Sequence, residues 1–413
     1  MTEVDFGSLV VVALAAFAVP LLLAVAPGPR IPSVVGEVVA GIALGAGGLG
    51  LVDPHGPELE FLFLFGLAFL LFLAGLEFDP AVLRGTLSGG LRHVGATPLG
   101  RALLGMGIRL TIAFAITVPM ALAGLLPGPT LVALLIASTS LGIVLSVLTE
   151  HDLLDKPFGQ RLFLSAAVAD FATVLLLTIF FSAGTQSPGV RVALILLLIL
   201  LALALYWALR KVSAHGAVGA LVERLSGAPT ELRVRGSFAL LLAFVALAGQ
   251  FGLEVILGAF IAGAIVSSLA IEREHPLYHV KIDAIGYGFF IPVFFILTGA
   301  RLDIPALLNA GDALVLVPVL LAAVFLVKGI PALLYRDEFA WGDCAAAGAL
   351  QSAQMTLTVA GVEIGRQLDL IDEALGAALI SVALLSVLIA PIAFARLHRR
   401  ASSGSDDPRP YNA

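Results

Sequence analysis

The sequence predicts an all-α polytopic membrane protein of about 13 transmembrane helices, folded as an inverted-topology repeat of six spans, a linker and six spans. Of 413 residues, 60% are hydrophobic and only 13% are charged, well outside the composition of soluble domains. Runs of roughly 20 apolar residues, long enough to cross a hydrocarbon core of about 30 Å, recur along almost the whole chain. The two halves of the sequence also echo each other in order.

The runs fall at about 7–26, 32–50, 58–76, 103–125, 129–149, 160–183, 189–210, 236–250, 254–271, 285–300, 313–335, 341–364 and 373–396. The first follows acidic rather than basic residues, and Pro27 comes after its only Ala-x-Ala-like site, so it reads as a retained span rather than a cleaved signal. Most connections are short. The two longest, near 77–102 and 211–235, have room for an amphipathic surface helix. Residues 1–402 thus form one transmembrane domain: repeat one over about 7–183, a linker helix over about 189–210 and repeat two over about 236–396. A short polar tail follows at 403–413.

Charge placement orients the chain. With the C-terminal "RLHRR" cytoplasmic, an odd number of spans puts the N-terminus outside. About 18 Lys and Arg then lie inside against about 3 outside (Arg191, Arg301, Arg366), the asymmetry a membrane protein needs. The net charge of −6 says little about partners, because placement matters more than sum. Cys344 is the only cysteine, which excludes an intramolecular disulfide and a thiolate metal site.

Three echoes define the duplication. "VVGEVVAG" (Gly36, Gly41) matches "ILGAFIAG" (Gly258, Gly263) with the same glycine spacing. "FLAGLEFDPAVL" matches "ILTGARLDIPALL", pairing Gly75 with Gly299 and Asp79 with Asp303. "ASTSLGIVLSVLTE" stands where the second half has "QSAQMTLTVAGVE". The paired positions lie about 214–224 residues, or seven spans, apart, so equivalent helices cross the membrane in opposite directions.

An ionisable side chain at membrane depth is costly and usually functional. Asp170, in "SAAVADFATVLLL", is nine residues beyond Arg161 at the cytoplasmic end of its span, a depth of roughly 13–14 Å and close to mid-bilayer. Asp is too short to snorkel. A carboxyl group there can hold a proton or a small metal cation, but not both well, which is the competition an antiporter requires. Lys328 lies roughly 12 Å deep in "AVFLVKGIPALL" and is a candidate charge partner or gate for Asp170. Arg109, nearer the inner end of its span, reads as a snorkelled anchor. Glu37 and Glu77, near helix ends, read as solvated, with Glu37 placed to border a cytoplasmic funnel.

Two polar interruptions complete the set: "STSLG" (Ser138, Thr139, Ser140) in the fifth span and "QSAQMTLT" (Gln351, Gln354, Thr356) in the twelfth. Hydroxyl and amide groups at equivalent places in the two repeats predict paired discontinuous helices that offer oxygen ligands to Na+ or K+. No HExxH, GxSxG or paired-Asp constellation is present, and all seven histidines fall in loops or tails, so an enzyme is not expected. No cofactor or nucleic-acid partner is expected either; the ligands are the transported ions and the surrounding lipid bilayer.

These strings resemble the bacterial monovalent cation:proton antiporter superfamily, in its sodium/proton exchanger and potassium-efflux branch. The likeness rests on "RIPSVVGEVVAGIALG", "GLAFLLFLAGLEFDP", "LGAFIAGAIVSS" and "FFIPVFFILTGARLDI" in family order over nearly the whole chain. The resemblance implies a homodimer in the bacterial plasma membrane, with an elevator-like core made of spans three to six and ten to thirteen. Spans one, two, eight and nine would build the dimer interface, packing through Gly41 and Gly45. Asp170 falls on the family's ion-binding aspartate, Lys328 on its intramembrane basic residue, and Ser138 to Ser140 on the first broken helix. Many members carry a polar or acidic residue just before the aspartate; here it is Ala169, and a single carboxylate implies electroneutral exchange. The short tail leaves no room for a nucleotide-binding domain, so regulation by one would need a separate cytoplasmic subunit. Crossed broken helices also serve sodium-coupled uptake of organic anions such as bile acids, the alternative expectation.

Overall fold

The structure, a computed structural model, describes residues 5–25, 33–45, 47–76, 97–154, 156–181, 187–214, 231–269, 277–302 and 311–403. Glu77, Asp79, Asp303, most of the two longest connections and nearly all of the tail lie outside the described residues. Helices are α1 (Phe6–Val25), α2 (Ser33–Leu44), α3 (Pro57–Leu76), α4 (Pro98–Leu122), α5 (Pro129–Ala137), α6 (Leu141–Glu150), α7 (Pro157–Phe181) and α8 (Pro188–Ala214). They continue as α9 (Leu232–Gln250), α10 (Val255–Ser268), α11 (Leu277–Ile285), α12 (Ile291–Ala300), α13 (Gly311–Ala332), α14 (Trp341–Gln351), α15 (Thr356–Gln367) and α16 (Glu373–Ser403). A π-helical segment, Gly286–Phe290, joins α11 to α12.

Proline begins several of these helices, where its missing N–H would be unpaired anyway and its fixed φ suits the first turn. In α4, Pro98 follows Thr97, whose hydroxyl accepts from Gly100 N–H at 3.1 Å. Among the described residues, ten continuous or near-continuous helical segments are long and apolar enough to cross a membrane, and none of the described residues forms a strand. α2 and α10 are apolar but shorter. The twelfth predicted span is a pair of half-helices, α14 and α15. The second span was expected over about 32–50 but its helix ends at Leu44.

The chain divides into two compact units. The first comprises residues 1–88 and 174–304, and the second 89–173 and 305–413, with α7 contributing to both. Each unit therefore takes elements from both repeats. The expected core is corrected here: α3 and α12, the third and part of the tenth predicted spans, belong to the first unit.

In that first unit the echoed glycines are contact points between the repeats. A Cβ on Gly41 of α2 would stand 1.9 Å from Ile296 O of α12, and one on Gly299 of α12 would stand 2.0 Å from Val38 O of α2. The mirror crossing joins α3 to α10: a Cβ on Gly75 would meet Phe260 O at 2.1 Å, and one on Gly263 would meet Phe72 O at 2.0 Å. Gly36 abuts Val19 and Leu23 of α1, just as Gly258 abuts Phe244 and Ala248 of α9. Only glycine lets two backbones approach this closely, the usual device of helix association in lipid. Gly41 and Gly45, expected at a dimer interface, pack here against their own chain, Gly41 on Ile296 and Gly45 on Ala300 backbone.

Candidate ion-binding site

All the predicted site residues lie in the second unit. Its fifth and twelfth spans are interrupted where the polar runs predicted, at 138–140 between α5 and α6 and at 352–355 between α14 and α15. Ser138 and Ser140 adopt extended backbone, which no helix can continue. Ser138 Oγ donates to Leu135 O at 2.7 Å, satisfying a carbonyl freed at the end of α5. The two breaks touch. Ser140 N–H donates to Ala353 O at 2.9 Å, and Thr139 Oγ1 donates to Gln351 O. Groups that a broken helix would leave unpaired in lipid are thereby paired across the breaks.

Asp170 stands on α7, only 6% exposed. Its Oδ2 accepts from Leu141 N–H, the first residue of α6, at 3.1 Å. The positive end of a helix thus faces the carboxylate, the favourable sense of the macrodipole. Among the described residues its buried Oδ1 has no hydrogen-bond partner, and neither do the buried hydroxyls of Thr117, Thr173 and Thr358. Thr173 is three residues from Asp170 on α7, and so on the same helix face. A buried carboxylate oxygen without a donor is expensive unless something neutralises it. A proton or a small cation would do so.

Lys328 on α13 is fully buried. Gly348 of α14 lies against Gly329 of α13, so the two backbones come close beside it. Its Nζ donates to Gln354 Oε1 at 2.5 Å, in the second break. Among the described residues no ion pair joins it to Asp170. Arg109 corrects the sequence expectation. It is 2% exposed rather than snorkelled, its Nη2 donates to Ser165 Oγ at 3.1 Å, and it lies in electrostatic reach of both Asp170 and Lys328. Glu37 is also buried, at 4% exposure, and not solvated. Thr356 opens α15 half-buried, and among the described residues no hydrogen bond ties its side chain to the rest.

Two residues escaped the sequence reading. Ser165 on α7 donates to Gln351 Oε1 at 3.1 Å. Ser386 on α16 accepts from Gln354 N–H at 3.1 Å and donates to Ala383 O at 2.7 Å. Serines are common in transmembrane helices and carry no signal alone. Repeat register is the signal that could have found Ser386. It lies 216 positions after Asp170, within the spacing of the echoes, and serves the second break as Asp170 serves the first.

An all-helical, multi-pass chain in which two interrupted helices meet beside a buried carboxylate has an architecture that membrane ion transporters use. More narrowly, the chain belongs to the sodium/hydrogen exchanger transmembrane family, which matches residues 12–400. It is 33% identical over 405 residues to YjbQ of Bacillus subtilis (strain 168), covering 97% of this chain but 64% of that protein. It is 28% identical over 368 residues to an Na(+)/H(+) antiporter of Enterococcus hirae, covering 88% and 90% of the two chains. Its fold matches the structure of the sodium proton antiporter MjNhaP1 from Methanocaldococcus jannaschii at pH 8, with TM-score 0.61 and 16% identity over 95% of this chain and 98% of that one. These relatives are transporters rather than enzymes.

Proposed function

We propose that the protein is a secondary antiporter exchanging a monovalent cation, Na+ or K+, for protons, with Asp170 binding proton and cation in turn. The observation that supports this most is the unpaired Oδ1 of a carboxylate buried at the meeting point of two broken helices. When Asp170 is ionised, its free oxygen, hydroxyls such as Thr173 and carbonyl groups released by the breaks supply the hard oxygen ligands that alkali cations take. When the carboxyl is protonated, the same oxygen no longer holds a cation. One site that accepts either ligand but not both couples the two flows, and Ala169 leaves Asp170 without an acidic neighbour, which supports exchange of one charge for one charge. The second unit would be the mobile core of an elevator-type cycle in a homodimer of the bacterial plasma membrane, with the C-terminus cytoplasmic. Sodium-coupled organic-anion uptake is not favoured, because the family match is to sodium/hydrogen exchangers.

The test uses liposomes containing the purified protein and an internal pH dye. External Na+, Li+ or K+ should alkalinise the lumen with wild type and not with Asp170→Asn. Equal exchange by the two proteins would overturn the assignment of Asp170. A Na+ signal that responds to an imposed voltage would overturn electroneutrality and leave antiport standing.

A further inference from the structure

We infer that Arg109 is a positioning residue for transport, holding the second break in register with the first through Ser165; the inference rests on the antiport reading above. A guanidinium can only donate, so Ser165 Oγ accepts from Arg109 Nη2, and its own hydroxyl donates to Gln351 Oε1 at 3.1 Å, with the Tyr335 hydroxyl also beside it. Gln351 in turn uses its main-chain carbonyl to accept from Thr139. Linked hydrogen bonds thereby run from α4, through the helix that carries Asp170, to Gln351 at the end of α14, which also accepts from the break before α6.

The repeat supports the same assignment. Arg109 and Lys328 lie 219 positions apart, within the spacing of the sequence echoes, and each sits on the helix that precedes a broken one. Both cations act on the second break: Lys328 holds the Gln354 amide oxygen directly, and Arg109 holds the Gln351 amide oxygen through one hydroxyl. The segment 352–355 is thus gripped at both ends. Gln351 closes α14, where exposed carbonyls favour nearby positive charge. Arg109 is also the buried cation that acts on Asp170, so its removal would loosen a cation ligand set and change the field at the carboxylate together.

The test is Na+ dependence of exchange in proteoliposomes for Arg109→Gln, Arg109→Lys, Ser165→Ala and the double variant Arg109→Gln/Ser165→Ala, with Asp170→Asn as reference. Arg109→Gln and Ser165→Ala should each raise the half-saturating Na+ concentration on the order of tenfold, because a small displacement of a ligand set has large effects. Arg109→Lys, which keeps a donor and a charge, should recover part of the loss. The double variant should be no worse than Arg109→Gln alone, as expected of two links in one chain. An unchanged half-saturation, equal behaviour of the Lys and Gln variants, or additive losses would overturn the inference. If Arg109→Gln does not fold, as judged by its elution in detergent, Ser165→Ala and Arg109→Lys carry the test. Persistence of exchange in Asp170→Asn would strike the antiport site itself, an outcome separate from all of these.

Discussion

The two units of the molecule solve one problem, bringing helices together in lipid, by opposite chemistry. In the first unit, backbones touch through glycine: α2 on α12 and α3 on α10, each crossing built from one helix of each repeat. In the second, helices are interrupted, freed backbone groups are cross-linked through Thr139, Gln351 and Ser386, and Arg109 and Lys328 donate into that network while Asp170 stays half-paired. Close packing of small residues gives rigidity without polar cost. Broken helices with buried ionisable groups are expensive and persist where an ion must be handled. Glycine contacts between the two repeats thus mark the first unit, while buried polar cross-links between broken helices mark the second.

Substitutions can break that contrast or sharpen it. The largest effect expected is loss of exchange in Asp170→Asn with no loss of folding, since an isosteric neutral group replaces a buried, half-paired carboxylate. A thermal melt in detergent that falls together with activity would erase the contrast. Next comes Gly41→Ala, which should lower stability by about 3 kcal/mol because the new methyl meets main chain that cannot move aside. Gly299→Ala should behave alike, and the pair should be non-additive because both methyls enter one crossing; denaturant titration in detergent measures all three. Ser386→Ala leaves Gln354 N–H buried without its acceptor and should cost about 1–2 kcal/mol by the same titration.

The smallest effect concerns the surface of the second unit. Arg101 pairs with Asp337 at 2.7 Å and Glu338 at 2.6 Å, while Arg161 reaches Glu338 at 3.0 Å. The Arg101 guanidinium holds the Asp337 carboxyl below its ordinary range. A lowered folded-state value means that the pair stabilises the fold at neutral pH, and that the gain is lost as pH falls through that lowered value. Asp337 is largely exposed, so solvent screening limits the gain. Asp337→Asn should cost at most about 0.5 kcal/mol at neutral pH and flatten the acid side of the stability profile.

Much of this was legible in the sequence, for identifiable reasons. Apolar run length marked the spans because lipid imposes it, and polar runs marked the breaks because hydroxyl and amide groups inside a span need a use. The burial of Asp170 was legible because a short carboxylate in the middle of an apolar run cannot reach water. What failed was whatever depends on neighbours. Counting residues placed Arg109 near an inner end, but only the surrounding helices, with Ser165 at 3.1 Å, show that it turns inward. The glycines of α2 were visible as a packing face, yet nothing in the linear order of residues says whether that face meets a second copy or Ile296 of its own chain. The grouping of α3 and α12 with the first unit was hidden for the same reason.

The glycine crossings also set a timetable. Gly41 is made early, but the α12 backbone that fills its groove ends at Ala300, about 260 residues later. At about 5–20 residues per second, the ribosome takes on the order of tens of seconds to supply that partner. α3 waits similarly for α10. During that interval the first repeat sits in the membrane with its closest-fitting surfaces facing lipid or the insertion machinery. The first unit therefore cannot finish folding until most of the second repeat's early helices have been made, and assembly of the molecule is governed by its late-arriving half.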